Sequence, residues 1–204
     1  MIEFFFDCSS PWTYLAFHNI QPLAAELNES IHWRPVLVGG IFNSINPSVY
    51  AMRENPVPAK KAYMLKDLQD WARAANLKIV MPPKVFPVNS VKAMRACIWL
   101  ESQGKLVPFA RAVFEAYWSQ EEDISQDAVL KSICEQTGVN WDDCVAGIAQ
   151  PAIKEQLKLN TEEVIRRGGF GSPTIYLGDE MYFGNDRLPL VKAEILRRRA
   201  SSAS

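Results

Sequence analysis

The first apolar residues, Ile2 to Phe6, form a short run rich in Phe that ends at Asp7, the signature of a buried strand of about five residues. The period then changes. From Pro11 onward Tyr14, Leu15, Phe17, His18, Pro22, Leu23 and Leu27 recur at spacings of three and four, which predicts a helix with Pro11 in its first turn and a bend or break at Pro22. A second strand is predicted over Ile31 to Leu37, so the chain opens as a βαβ unit. Gly39-Gly40 then starts a stretch to Ala59 holding Asn43, Asn46, Pro47, Asn55, Pro56 and Pro58, which reads as a long loop.

From Lys60 to Arg167 the pattern is helical. Leu65, Leu68, Trp71, Ala72 and Ala75 make one apolar face, Val91, Met94, Ile98 and Trp99 a second, and Phe109, Val113, Phe114 and Tyr117 a third. Asn89 or Ser90, Ser125 and Asn140 are read as N-caps, and Gly138 and Gly168 stand where helices end. After Gly168, Thr174–Leu177 and Met181–Phe183 read as a hairpin closed at Gly178-Asp179-Glu180. A last helix is expected from Arg187 to Arg199, followed by a frayed Ser/Ala tail.

Composition narrows the function classes. The 204 residues, 48% of them hydrophobic, suffice for one domain with an insertion, and the formal charge of −1 creates no field for nucleic acid or an anionic membrane. A small neutral or weakly acidic ligand fits better. The two histidines, His18 and His32, lack companions at zinc-ligand spacing, so no metal site is expected. The start of the chain lacks the basic and long apolar segments of a signal peptide, so residence in the cytoplasm is the default expectation. Cys8, Cys97, Cys134 and Cys144 contain no CxxC pair and do not make a disulfide scaffold.

A βαβ half and a ββα half joined through helices form the thioredoxin plan, an α/β fold here carrying a large all-helical insertion. The expected division is a thioredoxin-like unit over 1–59 and 151–204 with the insertion over 60–150. In that plan the active turn joins the first strand to the first helix, and here it reads Asp7-Cys8-Ser9-Ser10-Pro11-Trp12-Thr13. Ser10 occupies the nucleophile's place and Thr13 the resolving place, so dithiol exchange is lost. Cys8 is read as packed and inert. A hydroxyl at a helix N-terminus can still hold a ligand's thiolate, through a bond worth on the order of 1.5–3 kcal/mol. Ser172-Pro173 places a proline that can be cis opposite this turn, and Gly184-Asn185-Asp186-Arg187 opens the last helix with free N–H groups for a carboxylate. Trp12, next to the turn, is a candidate wall of an aromatic substrate pocket.

Residues 5–14 (Phe-Phe-Asp-Cys-Ser-Ser-Pro-Trp-Thr-Tyr), 170–174 (Phe-Gly-Ser-Pro-Thr) and 183–188 (Phe-Gly-Asn-Asp-Arg-Leu) resemble 2-hydroxychromene-2-carboxylate isomerases and the related kappa-class glutathione transferases, relatives of DsbA. Lys60-Lys61-Ala62-Tyr63-Met64 with Asp67-Leu68 and Trp71 is similar to their first insertion helix. The resemblance implies a glutathione-dependent homodimer in which Ser10 is catalytic. It further implies that Asn55, Lys60, Ser172, Pro173, Asn185, Asp186 and Arg187 bind glutathione. Spacing over Phe42 to Ala59 leaves Asn46 competing with Asn55, and Lys61 with Lys60. The expected activity is isomerisation of a small aromatic substrate, 2-hydroxychromene-2-carboxylate to trans-o-hydroxybenzylidenepyruvate. The alternatives are a kappa-like transferase or peroxidase, a dithiol oxidoreductase, and a noncatalytic binder.

Overall fold

A computed structural model describes residues 1–202. The element order is β1 (Ile2–Phe6), α1 (Pro11–Glu26), β2 (Ile31–Pro35), α2 (Val38–Ile45), α3 (Ser48–Glu54), α4 (Pro58–Ala74), α5 (Val91–Glu101) and α6 (Leu106–Trp118). It continues with α7 (Asp127–Gln136), α8 (Trp141–Ala149), α9 (Pro151–Arg166), β3 (Thr174–Leu177), β4 (Glu180–Phe183), a 3-10 turn at Asn185–Arg187, and α10 (Leu188–Ser202). The four strands lie in the order β2-β1-β3-β4, with β1 parallel to β2 and antiparallel to β3, which is antiparallel to β4. This is the DsbA-like thioredoxin fold predicted from the sequence, with helices α2 to α9 between the βαβ and ββα halves.

The Phe-rich start becomes a central strand because both faces of β1 are covered, which is why its apolar run barely alternates. Phe4 and Phe6 point into a large core shared with α1, α10 and the helices α5 and α6, whereas Phe5 joins Val36, Ile41, Val164 and Tyr176 on the opposite face. Phe6, Phe17 and Phe114 meet with ring centroids 5.1–6.5 Å apart, which welds strand, first helix and insertion together. On the second face Arg167 stacks over Tyr176 at 3.7 Å and pairs with Glu3 at 2.8 Å.

Several local expectations change. The stretch from Gly39 to Ala59 is not a loop: it holds α2, α3 and the start of α4. The prolines punctuate helices there, since Pro47 lies between α2 and α3 and Pro58 takes the first position of α4, where no N–H is needed. Pro22 does not split α1, which runs unbroken from Pro11 to Glu26. Ser125 does not cap α7; its hydroxyl and N–H bond Asp123, and α7 begins at Asp127. Asn140 does cap α8, accepting from the Asp143 N–H at 3.0 Å, and Asn89 rather than Ser90 accepts from Val91 N at α5. Gly138 and Gly168 follow α7 and α9 with φ of +65° and +89°, the left-handed ending expected of them. The final helix extends through Ser202, so of the frayed tail expected there only residues 203–204 remain, outside the described residues.

Candidate active site

The turn between β1 and α1 is built around Ser10. It sits in extended conformation at the N-cap of α1, and its Oγ accepts from Thr13 N–H at 3.2 Å, satisfying one of the orphan donors of the helix start. The same hydroxyl donates to the Ser172 carbonyl at 3.2 Å. The Ser172–Pro173 bond is cis, so the two halves of the fold meet here as expected. Trp12 N–H, in the first turn of α1, has no acceptor among the described residues, and neither does Ser172 N–H. One of these donors belongs to the first turn of α1, in the positive field at the head of a 16-residue helix, and the other to the residue before cis Pro173.

Ser172 does more than supply a backbone. Its Oγ accepts from Asp7 N–H at 3.0 Å and lies 2.8 Å from Thr13 Oγ1, so the residue in the resolving position is buried in a hydroxyl pair. Asp7 anchors the other side. Its Oδ1 accepts from Ser9 N–H at 2.9 Å, its Oδ2 from Val38 N–H at 2.8 Å, and the Ser90 hydroxyl also bonds it. One buried carboxyl thus gathers the active turn, the start of α2 and the start of α5. Burial raises its pKa above the ordinary 3.8, with the hydrogen bonds from Ser9, Val38 and Ser90 opposing.

Cys8 is fully buried, and its carbonyl accepts from the Trp118 indole N–H at 2.8 Å. Although no second thiol is near it in sequence, the fold brings Cys97 of α5 beside it. Burial pushes the Cys8 thiol well up, and Cys97 and Asp7 push it further, so it stays protonated and unreactive.

Beyond the turn, Gly184 N–H donates to the Pro173 carbonyl at 3.2 Å, bringing the Asn185 turn against the cis-proline loop. Asn185 is buried, its Oδ1 accepts from Asn19 Nδ2 at 2.9 Å, and its own Nδ2 has no partner among the described residues. Asp186 and Arg187 are exposed and pair with each other at 2.5 Å. Asn55, at the end of α3, and Lys60 and Lys61, in the first turn of α4, are exposed and make no side-chain bond to the turn. Asn46 instead reaches the loop before cis Pro173, donating to the Phe170 carbonyl at 3.1 Å. Trp12 is half-buried against the main core. Among the described residues no group of three or more His, Cys, Asp or Glu side chains could hold a metal ion, and no helix is long and apolar enough to cross a membrane.

The sequence marks Thr13 as the resolving position, but its pairing with Ser172, the anchoring role of Asp7, and the Trp118 indole that holds the turn with Phe86 packed toward it are features that sequence reasoning missed. Only Asp7 carried a signal, as a carboxylate ending an apolar strand, where burial without bonded partners would be costly.

A family profile described as DSBA-like thioredoxin domain matches residues 1–196. The chain is 28% identical over 193 residues to a 2-hydroxychromene-2-carboxylate isomerase from Pseudomonas sp. (strain C18), covering 92% of this chain and 86% of the relative. It is 29% identical over 203 residues to human glutathione S-transferase kappa 1, covering 93% and 88%. Among solved structures, a 2-hydroxychromene-2-carboxylate isomerase superposes with a TM-score of 0.82 at 25% identity, covering 100% of this chain and 98% of the other. With a serine-bearing turn on this fold and a profile match along nearly its whole length, the chain belongs to the DSBA-like thioredoxin domain family.

Proposed function

We propose that this protein is a glutathione-dependent isomerase of an aromatic intermediate, of the type that converts 2-hydroxychromene-2-carboxylate to trans-o-hydroxybenzylidenepyruvate. The observation that carries this reading is the position of Ser10: a hydroxyl, not a thiol, at the head of α1, 3.2 Å from the carbonyl beside cis Pro173. A site with this geometry and no thiol in the nucleophile's place needs its sulfur from a ligand.

The residues fit such a ligand. Ser172 N–H is free to pair with the backbone of an extended peptide, and the unpartnered Asn185 amide lies in the turn expected to receive a carboxylate of glutathione. Asn46, Asn55, Lys60 and Lys61 all lie on the α2–α4 segment, with Asn46 tied to the Phe170 loop. Glutathione, when bound, supplies a thiolate that adds reversibly to an electrophilic carbon, allows the adjoining bond to rotate, and leaves unchanged. To meet it, the Ser10 hydroxyl turns from the Ser172 carbonyl toward the sulfur while its oxygen keeps the Thr13 N–H. One such bond to a charged acceptor is worth about 1.5–3 kcal/mol, or about one to two pKa units. Residence in the cytoplasm and assembly as a homodimer belong to the same proposal.

The test is turnover of the chromene acid with and without glutathione, beside conjugation of glutathione to chlorodinitrobenzene. Isomerisation that requires glutathione without consuming it supports the reading. Conjugation without isomerisation overturns it in favour of a kappa-like transferase, a second reading supported by the human relative's similarity over nearly the whole chain.

A further inference from the structure

Helix α3 contributes no buried residue to the core, yet one of its side chains is held in place. The guanidinium carbon of Arg53 lies 5.5 Å from the ring centroid of Phe42 and 5.3 Å from that of Phe86. These rings come from different parts of the chain. Phe42, on α2, borders the cis-proline loop: a methyl group placed on Gly171 would lie 3.9 Å from it. Phe86 packs toward Trp118 with centroids 6.5 Å apart, and Trp118 holds the Cys8 carbonyl of the active turn. Arg53 therefore links a ring beside the cis-proline loop to a ring packed toward the indole that holds the active turn. Burial raises the Tyr117 phenol, Asp123 and Asp7 add to this, and Arg53 opposes it, so the cation also lies within electrostatic reach of the residue preceding Trp118.

Among the described residues the cation has no anionic partner. Arg34, Arg73, Arg166, Arg167, Arg187 and Arg197 each pair with a carboxylate, whereas among the described residues no oxygen accepts from Arg53. The two ring contacts hold the guanidinium without supplying an oxygen acceptor, so its N–H groups remain available. Those groups match the two oxygens of a carboxylate. Ring contacts also restrict the long side chain, so less freedom is lost when the anion arrives.

We propose that Arg53 determines substrate specificity by binding the carboxylate of an aromatic or conjugated acid whose electrophilic carbon faces Ser10. This deepens the isomerase reading and rests on it for the identity of the site. Glutathione also carries carboxylates, so the test separates the two sources.

Arg53→Gln and Arg53→Lys are compared with the unaltered protein in three measurements. In steady-state isomerisation at saturating glutathione, Arg53→Gln is expected to raise KM for the chromene acid about 10- to 100-fold, as loss of a charge-assisted bond implies. The effect on kcat is smaller, and Arg53→Lys recovers part of the loss. Glutathione affinity by calorimetry is expected to match the unaltered protein in both variants. Binding of cinnamate and of neutral cinnamamide, followed by tryptophan fluorescence, needs no turnover: the unaltered protein should favour cinnamate and Arg53→Gln should lose that preference.

An unchanged KM together with an unchanged cinnamate preference overturns the proposal. Weakened glutathione binding with no loss of cinnamate preference overturns it too, by assigning the cation to glutathione. If the unaltered protein does not isomerise the chromene acid but shows a cinnamate preference that Arg53→Gln abolishes, the isomerase reading fails and the carboxylate site stands.

Discussion

The turn around Ser10 and the segment running from α2 into α4 face the same site and are built in opposite ways. Asp7, Cys8, Thr13 and Ser172 are almost wholly buried, and their polar groups are bonded across three separate parts of the chain. Along α3 and the start of α4, by contrast, Met52 is 61% exposed and Tyr63 65%, and α3 buries no residue. The bonded, buried turn is the one in which the proposed mechanism needs a hydroxyl at a defined place. The surface of α3 is held by few side-chain contacts, among them Arg53 beside two rings, with the Asn46 bond to the Phe170 carbonyl just ahead of it. A rigid turn is thus combined with a more exposed neighbouring surface, the division under which the proposed chemistry would be fixed while the proposed substrate wall could vary.

The comparison breaks most sharply at Asp7. Asp7→Ala strands the buried Val38 N–H along with Ser9 N–H and the Ser90 hydroxyl, and the expected loss is about 3 kcal/mol of unfolding free energy. Urea denaturation measures it, and a loss below about 0.5 kcal/mol contradicts the anchoring role. Next, Ser10→Ala should cost about 1 kcal/mol of stability through the lost N-cap. It should also lower turnover on the order of tenfold to a hundredfold, as loss of one bond to a thiolate implies. Ser172→Ala leaves Asp7 N–H without an acceptor and should cost about 1–2 kcal/mol by the same denaturation measurement.

A smaller effect is a pH dependence. Asp7 has a folded pKa raised above 3.8, so between the unfolded and folded values the native state binds more protons than the unfolded chain. Its contribution to stability therefore improves as pH falls through that window and worsens as pH rises through the folded value. Surface carboxylates such as Glu29, Asp123 and Glu163, held below their ordinary values by bonded partners, act in the opposite sense. The difference between the unaltered protein and Asp7→Asn isolates Asp7, and it should shift toward the unaltered protein on acidification. A difference flat with pH contradicts the buried-carboxyl account. Smallest of all, Met52→Ala or Tyr63→Ala should change stability by no more than about 0.5 kcal/mol, since neither packs into the core.

These contrasts also mark what could be read from the chain. The Phe-rich strand, the Ser10 turn, the cis Ser172–Pro173 bond and the Gly178 hairpin follow from signals a few residues long, and the structure has each. The α2–α3 segment did not, because Pro47, Pro56 and Pro58 look the same whether they break a loop or start a helix. Asp7 escaped because its meaning depends on Val38 and Ser90, distant donors that only the fold brings to it. Arg53 escaped for the same reason, its two rings lying 11 and 33 positions away in sequence, at Phe42 and Phe86.

The central claim is that the Ser10 turn stabilises a borrowed thiolate. Titrating the protein with glutathione and following the ultraviolet absorbance of the thiolate against pH tests it directly. Bound glutathione should ionise about one to two pKa units lower with Ser10 present than in Ser10→Ala. An identical ionisation curve in the two proteins would contradict the account.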